Sequence, residues 1–195
     1  MRKKILACVA VCSMVVGIAS AATVWNPAGN GIVPPAVGDW SDAANWTAGV
    51  PVVGQKAVFN VPGAAEAQVS TVVPVAQFVQ GDGNVGGELR IVSGGVLSTD
   101  PAQWAAVGYN NTALTTVDAG GELNFANHAW IGLNDGAVGT LDISGRVTVA
   151  GMLGLGWAQT TSQGFVNIYD GGILELQQIH GDGSSSVKHG SLINI

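Results

Sequence analysis

From residue 89 onward the chain alternates apolar and polar residues in short bursts, and the bursts recur. Leu89-Arg90-Ile91 is followed by Thr115-Thr116-Val117, Leu141-Asp142-Ile143, Val166-Asn167-Ile168 and Ile193-Asn194-Ile195, with the closing residues 26, 26, 25 and 27 positions apart. The first four triplets run into small-residue turns, Gly94-Gly95, Gly120-Gly121, Ser144-Gly145 and Gly171-Gly172. A second alternating run comes next, with Leu97, then Leu123 and Phe125, then Val147 and Val149, then Leu174 and Leu176 at its apolar positions. Ser98, Asn124, Thr148 and Glu175 stand between them. A third short run ends in an apolar residue and glycine: Val107-Gly108, Ile131-Gly132 and Leu155-Gly156. In the fourth copy, Ile179-His180-Gly181, the glycine slips by one.

Period-two alternation sends one set of side chains inward and the other outward. Here the inward set is Leu, Ile and Val, and the outward column beside it is Arg90, Thr116, Asp142, Asn167 and Asn194. Glycine allows the positive φ that sharp corners demand. A repeat at this period is the signature of stacked supersecondary units, none of which can bury its own apolar face alone. The pattern predicts an all-β fold: a right-handed parallel β-helix (β-solenoid) with three short strands per coil of about 25–27 residues and an N-terminal cap. Short strands at close spacing also suit an antiparallel sandwich or jelly roll. That fold gives no reason for glycine corners to keep step with a long repeat.

Residues 1–21 read as a secretory signal peptide. Arg2, Lys3 and Lys4 precede an apolar run from Ile5 to Ile18, and Ala19-Ser20-Ala21 supplies small residues for cleavage after Ala21. The run is shorter than the roughly 20 residues a spanning helix needs. The expected location is therefore secreted, extracellular or at the cell surface, with no transmembrane span in the mature chain. Cys8 and Cys12 both lie in this leader, so the mature chain has no thiol chemistry and no disulfide framework. Cleavage leaves Lys56, Arg90, Arg146 and Lys188 against 13 acidic residues, a formal charge of −9. Nucleic acid and anionic lipid, which are held by Lys and Arg, are poor partners for such a surface. Neutral polysaccharide, divalent cations and other cell-surface components remain compatible with it.

Residues 22–60 show no clear repeat and hold Trp25, Trp40 and Trp46; the coils are expected over 61–195. Trp40 and Trp46 can form the small core of a cap that shields the first coil, or can meet a glycan. The stretch from Trp40 to Pro51 reads W-S-x-A-x-N-W-x-x-G-x-P. Placed after a signal peptide and before glycine-cornered coils, it resembles the secreted solenoid proteins of planctomycete-type bacteria. Many of these carry a C-terminal PEP-CTERM sorting signal, and their coils are similar to autotransporter-associated β-strand repeats. The tryptophan segment is the specific part of the likeness, and with the coils it covers most of the mature chain. The resemblance implies an exported parallel β-helix with a capped N-terminus, often retained at the surface, and it carries over no catalytic residues. No sorting tail is present, and the sequence stops at Ile195 inside an expected strand, as a truncated chain would.

Candidate chemistry is sparse. A pectin-lyase-like enzyme needs carboxylates clustered on adjacent coils, and the outward positions do not supply them: Asp118 maps onto Ser144 and Tyr169, Asp142 onto Thr116 and Asn167. Glu122 and Arg146 occupy matching positions and read as a surface ion pair one rung apart. His128, His180 and His189 fall at three different coil positions without metal-ligand spacing. Asp82, Asp135 and Asp182 each sit beside glycine in a loop. Calcium prefers several oxygens per site, and Asp-Gly turn chemistry explains each aspartate. The residues after the third-run glycine form a column of Tyr109, Leu133 and Trp157, with Trp104 and Trp130 nearby. Facing outward, Tyr109, Trp157, Trp130 and Trp104 are candidate glycan contacts; facing inward, they are packing.

No catalytic, cofactor-binding or metal-ligating residues are expected. The reading is a non-enzymatic extracellular structural or adhesive scaffold of the cell surface. The alternative is a carbohydrate-binding solenoid, or the N-terminal part of a polysaccharide-degrading enzyme.

Overall fold

A computed structural model describes residues 22–34, 36–83, 87–157, 161–179 and 191–195. The expected leader, His180, Asp182, Lys188 and His189 lie outside the described residues. The fold is the expected all-β solenoid, with parallel strands stacked over about five turns. Among the described residues no helix is long and apolar enough to cross a membrane.

Three ladders run along the stack. The first comprises β2 (Gly38–Asp39), β4 (Ala67–Val69), β7 (Glu88–Ile91), β10 (Ala113–Val117), β13 (Val138–Ile143), β15 (Gln163–Ile168) and β17 (Leu192–Asn194). The second comprises β5 (Val72–Pro74), β8 (Val96–Ser98), β11 (Glu122–Phe125) and the first parts of β14 (Arg146–Leu155) and β16 (Ile173–Ile179). The third comprises β1 (Ala22–Val24), β3 (Lys56–Phe59), β6 (Gln77–Gln80), β9 (Ala105–Val107), β12 (Ala129–Ile131) and the remainder of β14 and β16. Every pairing between these strands is parallel, which rules out the antiparallel sandwich; among the described residues the one antiparallel bridge, Trp25 with Trp46, lies outside the ladders.

Register confirms the repeat residue by residue. Ile91 pairs with Val117, Val117 with Ile143, and Ile143 with Ile168, and the first three are fully buried. The outward column also aligns: Arg90, Thr116, Asp142, Asn167 and Asn194 are successive partners. Its amides bond along the stack, Asn167 Nδ2 donating to Asp142 Oδ1 at 2.8 Å and Asn194 Nδ2 to Asn167 Oδ1 at 2.7 Å. In the second ladder Thr148 Oγ1 donates to Asn124 Oδ1 at 2.7 Å, and Asn124 Nδ2 to Ser98 Oγ at 3.3 Å. One inward position departs from the aliphatic rule. Thr115 replaces a leucine, and its hydroxyl donates to the Gln80 side chain, which in turn donates to Leu114 O at 3.1 Å. Both residues are fully buried, so each polar group is met inside the core.

The glycine pairs at the first corner have two separate tasks. Gly94, Gly120 and Gly171 adopt φ near +80°, a conformation other residues rarely take. The second glycine of each turn needs space: a Cβ on Gly95, Gly121, Gly145 or Gly172 would strike a backbone carbonyl of the preceding coil. The third turn is two residues shorter, Ile143 to Arg146 against Val117 to Glu122, so it has no counterpart of Gly120 but keeps the glycine that needs space, Gly145.

The second corner changes along the stack, which the expectation of three separate strands per coil did not foresee. Between Ser98 and Ala105 it is a loop, in which Asp100 Oδ1 accepts from Ala102 N at 2.7 Å. One coil later it is the short segment between Phe125 and Ala129. In β14 it is only a register shift between Val149 and Met152, so the second and third strands fuse. His128 lies at this shift, its Nδ1 accepting from Met152 N at 3.0 Å, and Gly151 leaves room for the imidazole ring.

The tryptophan-rich segment is continuous with the ladders, because β1, β2 and β3 are already rungs. Trp40 follows β2 in register with Val69, and Trp25 follows β1 in register with Phe59, as Trp40 N bonding Gln68 O and Trp25 N bonding Val58 O show. Large rings thus fill inward positions on the first rungs. Trp25, Trp40, Trp46 and Phe59 are all buried, with Trp40–Trp46 and Trp25–Trp46 centroids 4.7 and 5.0 Å apart in edge-to-face contact. Trp25 Nε1 donates to Ala65 O and Trp46 Nε1 to Trp40 O, both at 2.8 Å. The polar residues of the same segment hold its turns. Asp42 Oδ1 accepts from Ala44 N, and buried Asn45 donates to Asp39 O at 2.9 Å. Trp40 and Trp46 therefore serve the core, and their burial excludes a glycan contact.

Candidate functional site

The third ladder carries a second apolar cluster on its outer side. Ala105, Ala129 and Leu153 point into the core, as do Val107, Ile131 and Leu155; strand parity turns the residues between them outward. Those residues are Ala106, Trp130 and Gly154, partners on three successive rungs. Trp130 is the bulky member, and its neighbours are small for a reason. A Cβ on Gly154 would run into Trp130 Cε3 and Cζ3, so the indole lies over the Gly154 backbone.

The rest of the cluster comes from the ends of these strands. Trp104 precedes β9, and Tyr109, Leu133 and Trp157 follow the third-run glycines. Leu133 N bonds Gly108 O at 2.8 Å and Trp157 N bonds Gly132 O at 3.1 Å, which keeps this column in step beyond the strands. Trp104 stacks on Tyr109 with centroids 5.6 Å apart and planes 24° from parallel. Trp130 and Trp157 lie 4.6 Å apart at 38°. Trp130 and Leu133 are buried by their neighbours, whereas Trp104, Tyr109 and Trp157 stay partly exposed. All four aromatics singled out by sequence thus form one ridge across three coils. The sequence reading missed Ala106 and Gly154, which make room for Trp130; the signal was a small residue at Trp130's position in the coils on either side. Along the ridge runs an amide pair, Asn134 Nδ2 donating to Asn110 Oδ1 at 2.7 Å.

Among the described residues the other candidates lie apart from one another. Glu122 and Arg146 are register partners as expected, but Arg146 Nη2 bonds Glu175 Oε2 on the following coil, at 2.7 Å. Asp118 holds Arg90 Nε at 2.8 Å; that hydrogen bond and its charge keep the guanidinium more firmly protonated than usual. Asp82, one of the calcium candidates, pairs with Lys56 at 3.2 Å, and Asp135 accepts from the Thr161 hydroxyl. Among the described residues no three His, Cys, Asp or Glu side chains are grouped to hold a metal ion.

Sequence reading also passed over a cleft of about 470 Å³ lined by Pro34, Val37, Ala64, Glu66, Gly87 and Glu88. Burial pushes the Glu66 carboxyl above its ordinary value; Arg90 opposes the shift, and Glu88 and Asp118 add to it. Glu66 and Glu88 sit one rung apart, since β4 and β7 pair Ala67 with Leu89. The two carboxylates make this stretch of the cleft acidic. No family model, curated protein or solved structure matches the chain.

Proposed function

We propose that the chain is an exported, non-enzymatic structural or adhesive scaffold of the cell surface. The observation that carries this reading is the continuity of the stack. One file of apolar side chains runs from Val69 through Ile91, Val117 and Ile143 to Ile168, and polar ladders bond the outer faces along the same axis. Such a body resists bending and presents a repeated surface, as a spacer or surface-layer component requires. The leader pattern of residues 1–21 supports export. A tagged full-length chain followed by fractionation and protease shaving tests the reading. The expected result is processing after Ala21, recovery at the surface or in the medium, and no new reducing ends or unsaturated sugars from a polysaccharide panel. Retention of the unprocessed chain inside the cell, or cleavage of any polysaccharide, would refute it.

One observation favours a second reading, a carbohydrate-binding solenoid or the front of a polysaccharide-degrading enzyme. That observation is the external aromatic ridge, because rings that served only the core would point inward.

A further inference from the structure

Resting on that second reading, we propose that the ridge of Trp104, Tyr109, Trp130 and Trp157 is a binding site for an uncharged polysaccharide lying along the solenoid axis. Three features point to this ligand. The first is shape. The rings come from three successive rungs at about 4.8 Å per rung, so the ridge extends over roughly 10 Å, about the length of a disaccharide. Trp130 lies over Gly154, and Trp104 stacks on Tyr109, so the ridge offers ring surface to the C–H face of a pyranose. The second is the polar flank. The Asn110–Asn134 amide pair runs beside the rings, and amide groups there match sugar hydroxyls in both donor and acceptor roles.

The third feature is charge. Each Lys and Arg among the described residues is held by a carboxylate: Lys56 by Asp82, Arg90 by Asp118 and Arg146 by Glu175. None belongs to the ridge, and the leader-free chain carries a formal charge of −9. Polyuronates, sulfated glycans and nucleic acids would meet repulsion and, among the described residues, no available cation in this region, whereas a neutral glucan, mannan or xylan needs no positive charge. Trp130 acts as a positioning residue beneath the more exposed rings, and Gly154 sets its height.

Affinity electrophoresis of the leader-free chain through gels containing hydroxyethylcellulose, glucomannan, xylan, polygalacturonate or alginate tests the site. Retardation is expected in at least one neutral gel and in neither polyanion gel. Tyr109→Leu and Trp157→Leu, which keep apolar bulk but remove the ring, should each bind roughly tenfold more weakly. Tyr169→Ala, an exposed aromatic at the first-ladder corner, should bind as the parent does. Far-UV circular dichroism and melting temperature establish that each variant is folded. If the parent is retarded by no polysaccharide, the carbohydrate reading itself fails. If it is retarded and the two leucine variants match it, that reading stands and the ridge is not the site. Retardation by the polyanions alone overturns the proposal on charge.

Discussion

The six tryptophans divide evenly between two places, and the two clusters do opposite things with the same side chain. Trp25, Trp40 and Trp46 gather around Phe59 at the N-terminal end and are buried. Trp104, Trp130 and Trp157 gather with Tyr109 on the outside of the third ladder, where three of the four rings stay partly exposed. Hydrophobicity does not separate them. Strand parity and rung number do. Trp25 and Trp40 occupy inward positions on the first rungs of the described residues, where the large rings pack around Phe59. Trp130 lies between inward Ala129 and Ile131 on a middle rung, so the same ring must face out. In a solenoid an aromatic residue is assigned to core or surface by its phase in the repeat.

The comparison is tested first by removing a ring from each cluster. Trp40→Ala should cost about 3–5 kcal/mol in urea denaturation, the range for emptying a closed aromatic site. Trp157→Ala should cost only about 1–2 kcal/mol, because its partly exposed ring has less burial to lose. Equal costs would erase the distinction between the clusters.

A finer test adds a methyl group beneath a ring in each. A Cβ on Gly38 would meet Trp25 Cζ2 at 2.7 Å inside the closed cluster, while a Cβ on Gly154 would push Trp130 from an outer face. Gly38→Ala should cost about 2–3 kcal/mol, as overpacking does, and Gly154→Ala less, since the rings packed around Trp130 are partly exposed and can give way. Gly154→Ala should also perturb the near-ultraviolet dichroism of the ridge while leaving the cooperativity of unfolding unchanged.

The smallest effect concerns the charge beside the inner cluster. Glu66 O accepts from Gly38 N, and burial raises the Glu66 carboxyl pKa above its ordinary 4.5. A carboxyl whose folded pKa is raised holds its proton more tightly when folded. Its contribution is therefore favourable in acid and is lost as pH rises from 4.5 through the folded value. Glu66→Gln should raise the melting temperature slightly at pH 7 relative to the parent, with the gain shrinking toward zero below pH 4.5. A gain that persisted unchanged into acid would show that charge is not its cause.

The coils were legible because a solenoid writes its contacts into sequence spacing: a residue and its partner are one period apart, so the Ile91 column could be aligned without coordinates. The ridge was legible for the same reason, since Tyr109, Leu133 and Trp157 share a phase. Features that depend on the neighbouring coil's shape were hidden. The fusion of two strands in β14 comes where His128 meets Gly151 at the second corner, and neither residue alone announces it. The choice of Glu175 over Glu122 by Arg146 depends on side-chain reach between rungs, which register does not fix. The N-terminal segment escaped the repeat because its rungs are separated by long turns and its inward positions hold tryptophan in place of Leu, Ile or Val.

The central claim is that residues one period apart are direct neighbours on successive coils, and cysteine cross-linking measures this directly. In a chain with Cys8 and Cys12 replaced by serine, Thr116→Cys combined with Asp142→Cys places two thiols on adjacent rungs, within the range a disulfide spans. Thr116→Cys combined with Asn167→Cys places them two rungs apart, about 9.6 Å, beyond that range. Under mild oxidation, mass spectrometry should find the first pair closed within one chain and the second open. An open first pair, or a second pair that closes as readily, would contradict the stacked arrangement.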